Sequence, residues 1–390
     1  MRYFFLILFL IFNCAFAKTK IKKIIDPEKS KKTVNLLTFN TGLAHTFVPY
    51  ANQRAAKIIE ALKEGNADIV CLQEVWTQSD RNQFIFELKE KYPYSFLTPI
   101  VQKKSLNKPA CKIAELFGEN KYGRCLVERC IKYSGDKFTS CLIENCRTPM
   151  DELKISNNQC ANALMAQVGL PAWKALFNVF NPFSFAGLFA YEGSDGVILF
   201  SKYPIEKKET LNWENLSTLN RRNILISDIK IKEIDYQVGC THLTANLTKT
   251  APYVGQNGSF ENENLKQIDE IINQLDKNRH PTILMGDFNC SIKIKKENID
   301  PDFEKGCSKL FSKYSSPVLN IGPQCTFCKN NLINADSLEG NLMIDHIFLK
   351  GLTPKKVDIV FKENILVKDE DREVQTQLSD HFGVSVHISQ

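Results

Sequence analysis

The 390-residue sequence predicts an α/β fold in which mixed sheets form a sandwich with helices on the outside. Short apolar runs typical of buried strands alternate with segments of helical periodicity along most of the chain. Some predicted strands follow one another as hairpin-like neighbours, which requires antiparallel as well as parallel pairing. Residues 100–191 break this rhythm, and we interpret them as an insertion that is first cysteine-rich and then aromatic-rich.

The elements before the insertion are a strand at 34–39, a helix at 53–63 closed by Gly65, a strand at 68–72 and a helix at 82–92 stopped by Pro93. After the insertion, strands are predicted at 196–201, 225–231, 236–241, 281–285, 342–349 and 384–388. A helix is predicted at 262–275, ahead of the strand at 281–285. Hydrophobic residues make up 43% of the chain, which is enough for a substantial core.

The N-terminus has the pattern of a secretory signal peptide. Arg2 precedes an apolar run that is too short to span a membrane, and Ala15 and Ala17 supply the small residues of a cleavage site. We therefore expect residues 1–17 to be a signal peptide, 18–33 a linker and 34–390 the folded domain. The mature protein is expected to be secreted, with a periplasmic or lumenal location as the alternative. The net charge of +6 of the full sequence favours approach to phosphates but does not indicate a nucleic-acid-binding protein.

Cysteine usage agrees with export, because an oxidising compartment permits disulfides. Six cysteines crowd into the insertion, and two pairs spaced by four residues flank a turn, which indicates two short antiparallel helices stapled together. From that geometry we expect the pairs Cys125–Cys146, Cys130–Cys141 and Cys111–Cys160, although six cysteines allow fifteen connectivities. A zinc site is the alternative, disfavoured by export and by the lack of histidine in that stretch. Cys71 and Cys240 lie in strand-like runs and are expected to stay free and buried.

Polar residues stand at the ends of several predicted strands. They are Asn40 after "NLLTF", Glu74 after "DIVCLQ", His242 after "QVGCT", Asp287 and Asn289 in "ILMGDFN", Asp345 and His346 in "MIDHIF", and Asp380 and His381 in "LSDHFG". Each alone has an ordinary explanation as a cap, a turn residue or a structural histidine. Together they combine oxygen ligands suited to Mg²⁺ with a histidine beside a carboxylate suited to act as a general base. Such a set can direct water at a phosphodiester.

These motifs resemble, in the same order, the successive motifs of the endonuclease/exonuclease/phosphatase superfamily. The resemblance covers residues 34–92 and 193–388 and leaves the insertion outside. It implies a four-layered α/β sandwich of the DNase I type, with two mixed sheets flanked by helices.

The resemblance also implies a metal site. Glu74 would hold an essential divalent ion, with Asn40 nearby and Asp380 completing the shell. The ion implied is Mg²⁺, with Mn²⁺ or Co²⁺ as alternatives. His346 stands where the family often has tyrosine, and we interpret it as structural.

The remaining residues receive catalytic roles from the resemblance. His381 would be the base that deprotonates water, oriented by Asp345. Asp287 would position that water, and Asn289 would donate to a phosphoryl oxygen. His242 would stabilise charge that develops on the phosphate or assist the leaving group.

The motifs "LQEVW", "EGSDGVILFSKYPI", "THLTAN" and "CTFCKNN" are similar to those of the neutral and bacterial sphingomyelinases. That branch implies hydrolysis of sphingomyelin or a related phospholipid to ceramide and phosphocholine, with a phospholipid membrane surface as the partner. The alternatives are a secreted DNase I-like endonuclease acting on nucleic acid, a silent binding module on the same fold, and an inositol-phosphate phosphatase. No protein partner can be inferred.

Residues 171–191 concentrate large aromatic side chains outside the family motifs. One interpretation is a lid that packs the insertion against the sandwich. The other is an exposed surface that enters a lipid interface. The sequence leaves both open.

Overall fold

The computed structural model describes residues 33–389, apart from Thr46, Ser134, Val168, Gly169, Pro171, Gly322, Pro323, Asp336 and Leu338. The predicted signal peptide, and all of the predicted linker except Thr33, lie outside the described residues. Within the part that is described, none of the helices combines the length and the apolar character needed to cross a bilayer.

The described residues form thirteen strands: β1 (Thr33–Asn40), β2 (Ile69–Gln73), β3 (Tyr94–Phe96), β4 (Ile198–Ser201), β5 (Ile205–Asn212), β6 (Asn223–Ile231), β7 (Ile234–His242), β8 (Thr282–Asp287), β9 (Asp345–Lys350), β10 (Pro354–Val360), β11 (Asn364–Asp369), β12 (Arg372–Gln377) and β13 (Gly383–Ser389). Six of them form one sheet in the order β10-β13-β1-β2-β4-β3, and five form a second in the order β5-β6-β7-β8-β9. Strands β11 and β12 form a separate hairpin. Both large sheets are mixed, because β1–β2 and β7–β8 are parallel pairs whereas the other pairs are antiparallel.

The α-helices of the described residues are α1 (Ala51–Glu64), α2 (Gln78–Leu88), α3 (Ile113–Leu116), α4 (Tyr122–Cys125), α5 (Gly135–Ser156), α6 (Asn158–Met165), α7 (Ala172–Phe180), α8 (Phe260–Leu275) and α9 (Glu304–Lys313). Helix α2 begins and ends four residues earlier than the sequence predicts. Thr77 caps its first turn by accepting from the Asp80 amide, and two later amides share the Leu88 carbonyl, which closes the helix. Helices α3 to α7 belong to the insertion.

The sheets pack face to face, and the pleat explains their four layers. Along β2, Ile69 and Cys71 point into the core shared by the two sheets, whereas Val70 and Leu72 point outward against α1 and α2. On β8, Ile283 faces the same shared core, and the next residue, Leu284, packs outward against α8 and α9. Strands buried on both faces are apolar throughout, which is why they read as continuous runs in the sequence. The predicted four-layered sandwich is therefore confirmed.

The insertion has a core of its own, fixed by the three disulfides expected from the sequence. Cys125 bonds Cys146 and Cys130 bonds Cys141, which staples the segment from α4 onward to α5. Cys111–Cys160 closes the base, where α6 packs. All six cysteines of these disulfides are buried, mostly among small and aliphatic side chains.

The expectation that Cys71 and Cys240 remain free thiols is wrong, because they form a disulfide with 5.5 Å between their Cα atoms. Both side chains point into the core between the sheets, where β2 lies opposite β7. Two cysteines at that distance on facing strands have the geometry to bridge, and the bond ties the sheets together. Two further disulfides, Cys290–Cys307 and Cys325–Cys328, are present in the described residues.

Replacing Cys71 and Cys240 together by alanine is expected to lower the free energy of unfolding by about 2–5 kcal/mol, since the bond closes a loop of 169 residues in the unfolded chain. Denaturant titration of the variant and the parent protein measures this difference. Peptide mapping without reductant should recover the two cysteine peptides as one linked species. Recovery of both as alkylated free thiols from native protein would contradict the bond.

Candidate active site

The topology brings the strand ends named in the sequence analysis to one edge of the sandwich. Parallel strands end at the same edge, so Asn40 lies beside the end of β2, and His242 pairs in register with Asp287. Antiparallel neighbours begin where those strands end, which places Asp345 opposite Asp287 and puts His381 just before β13. All eight predicted site residues therefore lie at this edge, half of them contributed by each sheet.

Glu74 and Asp380 form the carboxylate part of the site. Glu74 follows β2 with a φ of 61°, a left-handed conformation that costs a non-glycine residue about 1–3 kcal/mol and is typical of functional sites. Burial and the charge of Asp380 raise the pKa of Glu74 above its ordinary value. Asp380 packs tightly on Gly42, where an added Cβ would lie 2.1 Å from Asp380 Oδ1. The two carboxylates repel each other, Arg54 and Arg222 offset only part of their charge, and this oxygen-donor set fits a hard divalent cation.

Asp345 and His381 form a hydrogen-bonded pair across the two sheets. His381 Nδ1 lies 2.8 Å from Asp345 Oδ2, and both side chains are buried. Burial alone would lower the pKa of His381, but the charge and hydrogen bond of Asp345 raise it well above the ordinary value. This arrangement leaves Nε2 of His381 on the side of Asn40, whose Nδ2 is 3.5 Å away. The imidazole is thus held by one nitrogen and can exchange a proton at the other.

Asp287 is the centre of a second set of contacts. Its Oδ2 accepts from Asn40 Nδ2 at 2.9 Å, and its Oδ1 accepts from the Asn289 amide at 2.8 Å. Burial and the charge of Asp345 raise the pKa of Asp287 to about 7. Asn289 also donates from Nδ2 to the Leu243 carbonyl at 3.0 Å, which uses one of its two amide protons and fixes the side chain.

His242 lies 3.5 Å from Asp287, measured between Nε2 and Oδ2. Burial, together with the positive charges of Arg222 and His381, holds the pKa of His242 well below its ordinary value. Its imidazole is therefore neutral at physiological pH. Its Nδ1 is buried without a hydrogen-bond partner among the described residues.

The segment between Cys325 and Cys328 supports the Asp345–His381 pair. Thr326 Oγ1 accepts from the Asp345 amide at 3.1 Å, and the Thr326 carbonyl accepts from the Phe382 amide at 2.7 Å. The Phe327 ring lies edge-on to the His381 ring at 5.3 Å. One disulfide-closed turn therefore fixes the backbone on both sides of the pair.

Three residues of this edge have no assigned role in the sequence analysis. The Tyr191 ring stacks on Trp76 with 4.5 Å between centroids, and the Arg222 guanidinium lies 5.6 Å from the Trp76 ring. Arg222 is 4% exposed, and its Nη1 has no hydrogen-bond partner among the described residues. Burial lowers the pKa of Arg222, against the opposing charges of Glu74 and Asp287. A buried guanidinium with an open donor beside two carboxylates is a candidate group for binding an anion.

Arg222 could have been found from the topology. It directly precedes β6, which runs antiparallel to β7, so its position at the start of one strand matches that of His242 at the end of the other.

The structure also shows which acidic and histidine groups could hold a cation together. Asp287, Asp345 and His381 offer ligand atoms that all lie within 4.8 Å of one another. The carboxylates of Glu74 and Asp380 are a separate oxygen-donor set at the same edge, coupled through their charges. The donor chemistry of both sets fits a hard divalent ion better than a soft metal.

His346 occupies a different environment from its neighbour Asp345. It points away from the shared core and lies fully buried among the rings of Phe288, Phe311 and Phe348. Its Nε2 is 3.3 Å from the Cys290 carbonyl oxygen. Burial lowers the pKa of His346 to about 4, so it is a neutral core residue.

Comparisons with known proteins agree with this architecture. The model of the Endonuclease/Exonuclease/phosphatase family matches residues 37–381. No curated protein matches the chain.

Three solved structures are similar in fold. SmcL is 14% identical with a TM-score of 0.54, covering 92% of this chain and 99% of that one. Sphingomyelinase C from Streptomyces griseocarneus is 13% identical with a TM-score of 0.53, covering 92% and 99%. A beta toxin mutant from Staphylococcus aureus with bound magnesium ions is 14% identical with a TM-score of 0.52, covering 92% and 100%. Because the family model spans most of the sequence and the strand-end residues converge on one edge, the chain belongs to the endonuclease/exonuclease/phosphatase family of phosphoester hydrolases.

Proposed function

We propose that the protein is a secreted, Mg²⁺-dependent phosphodiesterase that hydrolyses sphingomyelin or a related phospholipid, releasing phosphocholine and leaving ceramide in the membrane. The observation that carries the hydrolytic part is the buried Asp345–His381 pair facing Asn40 and Asp287 at the same edge as Glu74. Motif similarity and fold neighbours named as sphingomyelinase C and beta toxin support the lipid part. Six disulfides support an oxidising compartment.

In this proposal His381 takes the proton of the attacking water at Nε2 while Asp345 holds Nδ1 and stabilises the imidazolium that forms. Asp287 orients the water, and the second amide proton of Asn289 is free to meet a phosphoryl oxygen. The water oxygen forms a bond to phosphorus as the bond from phosphorus to the ceramide oxygen breaks. The departing oxygen takes up a proton from solvent and His381 returns its proton to solvent, so one water is consumed for each bond cleaved. His242, neutral in its buried position, would donate a hydrogen bond to the departing oxygen.

Two positive groups would complete the site. Glu74, Asn40 and Asp380 would hold Mg²⁺, which when bound supplies charge to polarise the phosphoryl oxygen. Arg222 would place its open Nη1 toward the phosphate, adding a charge-assisted hydrogen bond in a water-poor environment.

The substrate test offers purified residues 18–390 sphingomyelin vesicles and plasmid DNA in parallel, with Mg²⁺ present. We expect release of phosphocholine and no nicking of the plasmid. Rapid cleavage of DNA without phosphocholine would establish the nuclease alternative. Absence of hydrolysis on both, in a folded protein that retains all eight site residues, would favour the silent binding module.

Metal removal is expected to abolish activity, because Glu74 and Asp380 place like charges together and need a cation between them and the substrate phosphate. Excess EDTA should stop phosphocholine release, and added Mg²⁺ should restore it. Mn²⁺ and Co²⁺ are tested in the same titration. Full activity in excess chelator would overturn the metal assignment.

A further inference from the structure

The insertion carries a group of solvent-exposed aromatic side chains that we call the aromatic face. Its members are Trp173 and Phe177 on α7, which are 72% and 63% exposed, and Phe183 and Phe185 in the following turn, which are 88% and 44% exposed. Trp173 and Phe177 are four residues apart and so lie on one side of the helix. Four such rings expose on the order of several hundred Å² of apolar surface. A patch of that size marks an interaction site more often than ordinary surface.

The aromatic face is not required to hold the insertion together. The other side of α7 packs inward through Val179, which is fully buried, and through Phe180, whose ring meets Phe117 at 6.0 Å. Cys111 donates its amide to the Val179 carbonyl, which anchors the helix beside the Cys111–Cys160 disulfide. The structure therefore divides the aromatic run into residues that pack within the insertion and residues that are exposed to solvent.

Charge around the aromatic face favours an anionic lipid surface as the occupant. From residue 155 to 191 Lys174 is the only charged side chain, and it adjoins Trp173. Lys108 lies 5.3 Å from the Phe185 ring. Residues 100–191 contain twelve Lys or Arg and seven Asp or Glu, a net charge of +5 out of +6 for the whole chain. Aromatic rings with flanking lysines, in a sequence stretch from 155 to 191 without Asp or Glu, match the interface of a bilayer that contains anionic lipid.

The aromatic face is connected to the active site by a short, well-fixed segment. From Phe185 to Tyr191 the chain can span at most about 21 Å. Leu188 donates to the Lys103 carbonyl, and Phe189 donates to the Gln102 side chain, so the segment is tied to the body of the insertion. Tyr191 then stacks on Trp76, two residues beyond Glu74. A membrane that contacts the face therefore lies within reach of the active site.

We propose that the aromatic face is the surface by which the protein adsorbs to anionic lipid bilayers, with the rings entering the interface and Lys108 and Lys174 meeting lipid phosphates. The bilayer, and not a second protein, is the partner. This inference rests on the proposed function only for what the active site does once the protein is adsorbed.

The test measures binding separately from hydrolysis. Trp173, Phe177 and Phe183 are replaced together by serine, and cosedimentation is measured with vesicles of phosphatidylcholine containing a minority of phosphatidylserine. We expect the partition constant to fall about 10³-fold or more, since burying each of the three rings is worth about tenfold or more in binding. Binding of the parent protein should also weaken as salt rises. Phe86→Ser is the matched control, because Phe86 on α2 is 63% exposed, as Phe177 is, and lies outside the insertion.

Hydrolysis of a short-chain, water-dispersed phospholipid requires no adsorption to a bilayer, so it tests the proposed activity separately from membrane binding by the aromatic face. The triple variant should keep the parent rate on that substrate, with unchanged thermal unfolding, and lose rate on vesicles. The proposal would be overturned if the triple variant bound vesicles as tightly as the parent protein. It would also be overturned if the parent protein were an oligomer and the triple variant a monomer, because the aromatic face would then be a subunit contact. Tight, face-dependent vesicle binding without hydrolysis of any lipid would refute the proposed function and leave the membrane face standing.

Discussion

Replacing His381 by alanine is expected to lower kcat by about 10²–10⁴-fold, because a general base contributes that much to the rate. Asp345 accepts from the His381 imidazole at 2.8 Å. Asp345→Asn removes the carboxylate charge that stabilises the imidazolium, so this variant should show a smaller but still large loss of kcat. The measurement is kcat for phosphocholine release, with circular dichroism to confirm that each variant is folded.

His346→Phe is the control for that experiment. His346 is a buried neutral residue in an aromatic cluster, so this substitution should shift thermal unfolding and leave kcat close to that of the parent. If a folded His346→Phe variant were as inactive as His381→Ala, the choice of base would be wrong.

Arg222→Met is expected to lower kcat/KM by about 10²–10³-fold, the usual cost of removing one preorganised donor from a developing negative charge. Methionine keeps much of the volume beside Trp76 and removes only the charge and the open Nη1. Arg222→Lys should recover part of the loss, since the charge returns without the planar fork.

Arg221→Met is the matched control for Arg222. Arg221 is equally buried, but its guanidinium is engaged by the Pro99 carbonyl and Asn212. That substitution should reduce stability and spare the chemical step. Equal loss of kcat/KM in both variants, with equal loss of stability, would contradict a catalytic role for Arg222.

The strand-end residues could be predicted because the sequence shows both the apolar run and the polar residue that ends it. Asn40, His242 and Asp287 each follow such a run, and parallel pairing then places Asn40 beside the end of β2 and His242 beside Asp287. Their hydrogen bonds could not be predicted, because the Asn40–Asp287 contact joins residues 247 apart in sequence and depends on how the two sheets are superposed.

Residues that precede strands were harder to find. Arg222 lies in the loop before β6, and Tyr191 begins a short 3₁₀ helix (Tyr191–Gly193) ahead of β4, so neither stands at the end of a predicted strand. Cys71 and Cys240 were misassigned for a related reason. The sequence shows that each cysteine lies in a buried strand. It does not show that two strands from different sheets lie opposite each other, because that depends on the tertiary packing.

The two contacts that unite the site, Asn40 with Asp287 and Asp345 with His381, both cross from one sheet to the other. Each sheet supplies only half of the groups, so the proposed catalysis depends on the alignment of two sheets that pack through apolar side chains. A misplacement of about 1 Å can cost about 100-fold in rate. The Cys71–Cys240 disulfide links the two sheets three residues before Glu74 and two residues before His242, and so fixes their alignment close to the site. Loss of this disulfide should therefore lower the turnover rate while most of the sandwich remains folded.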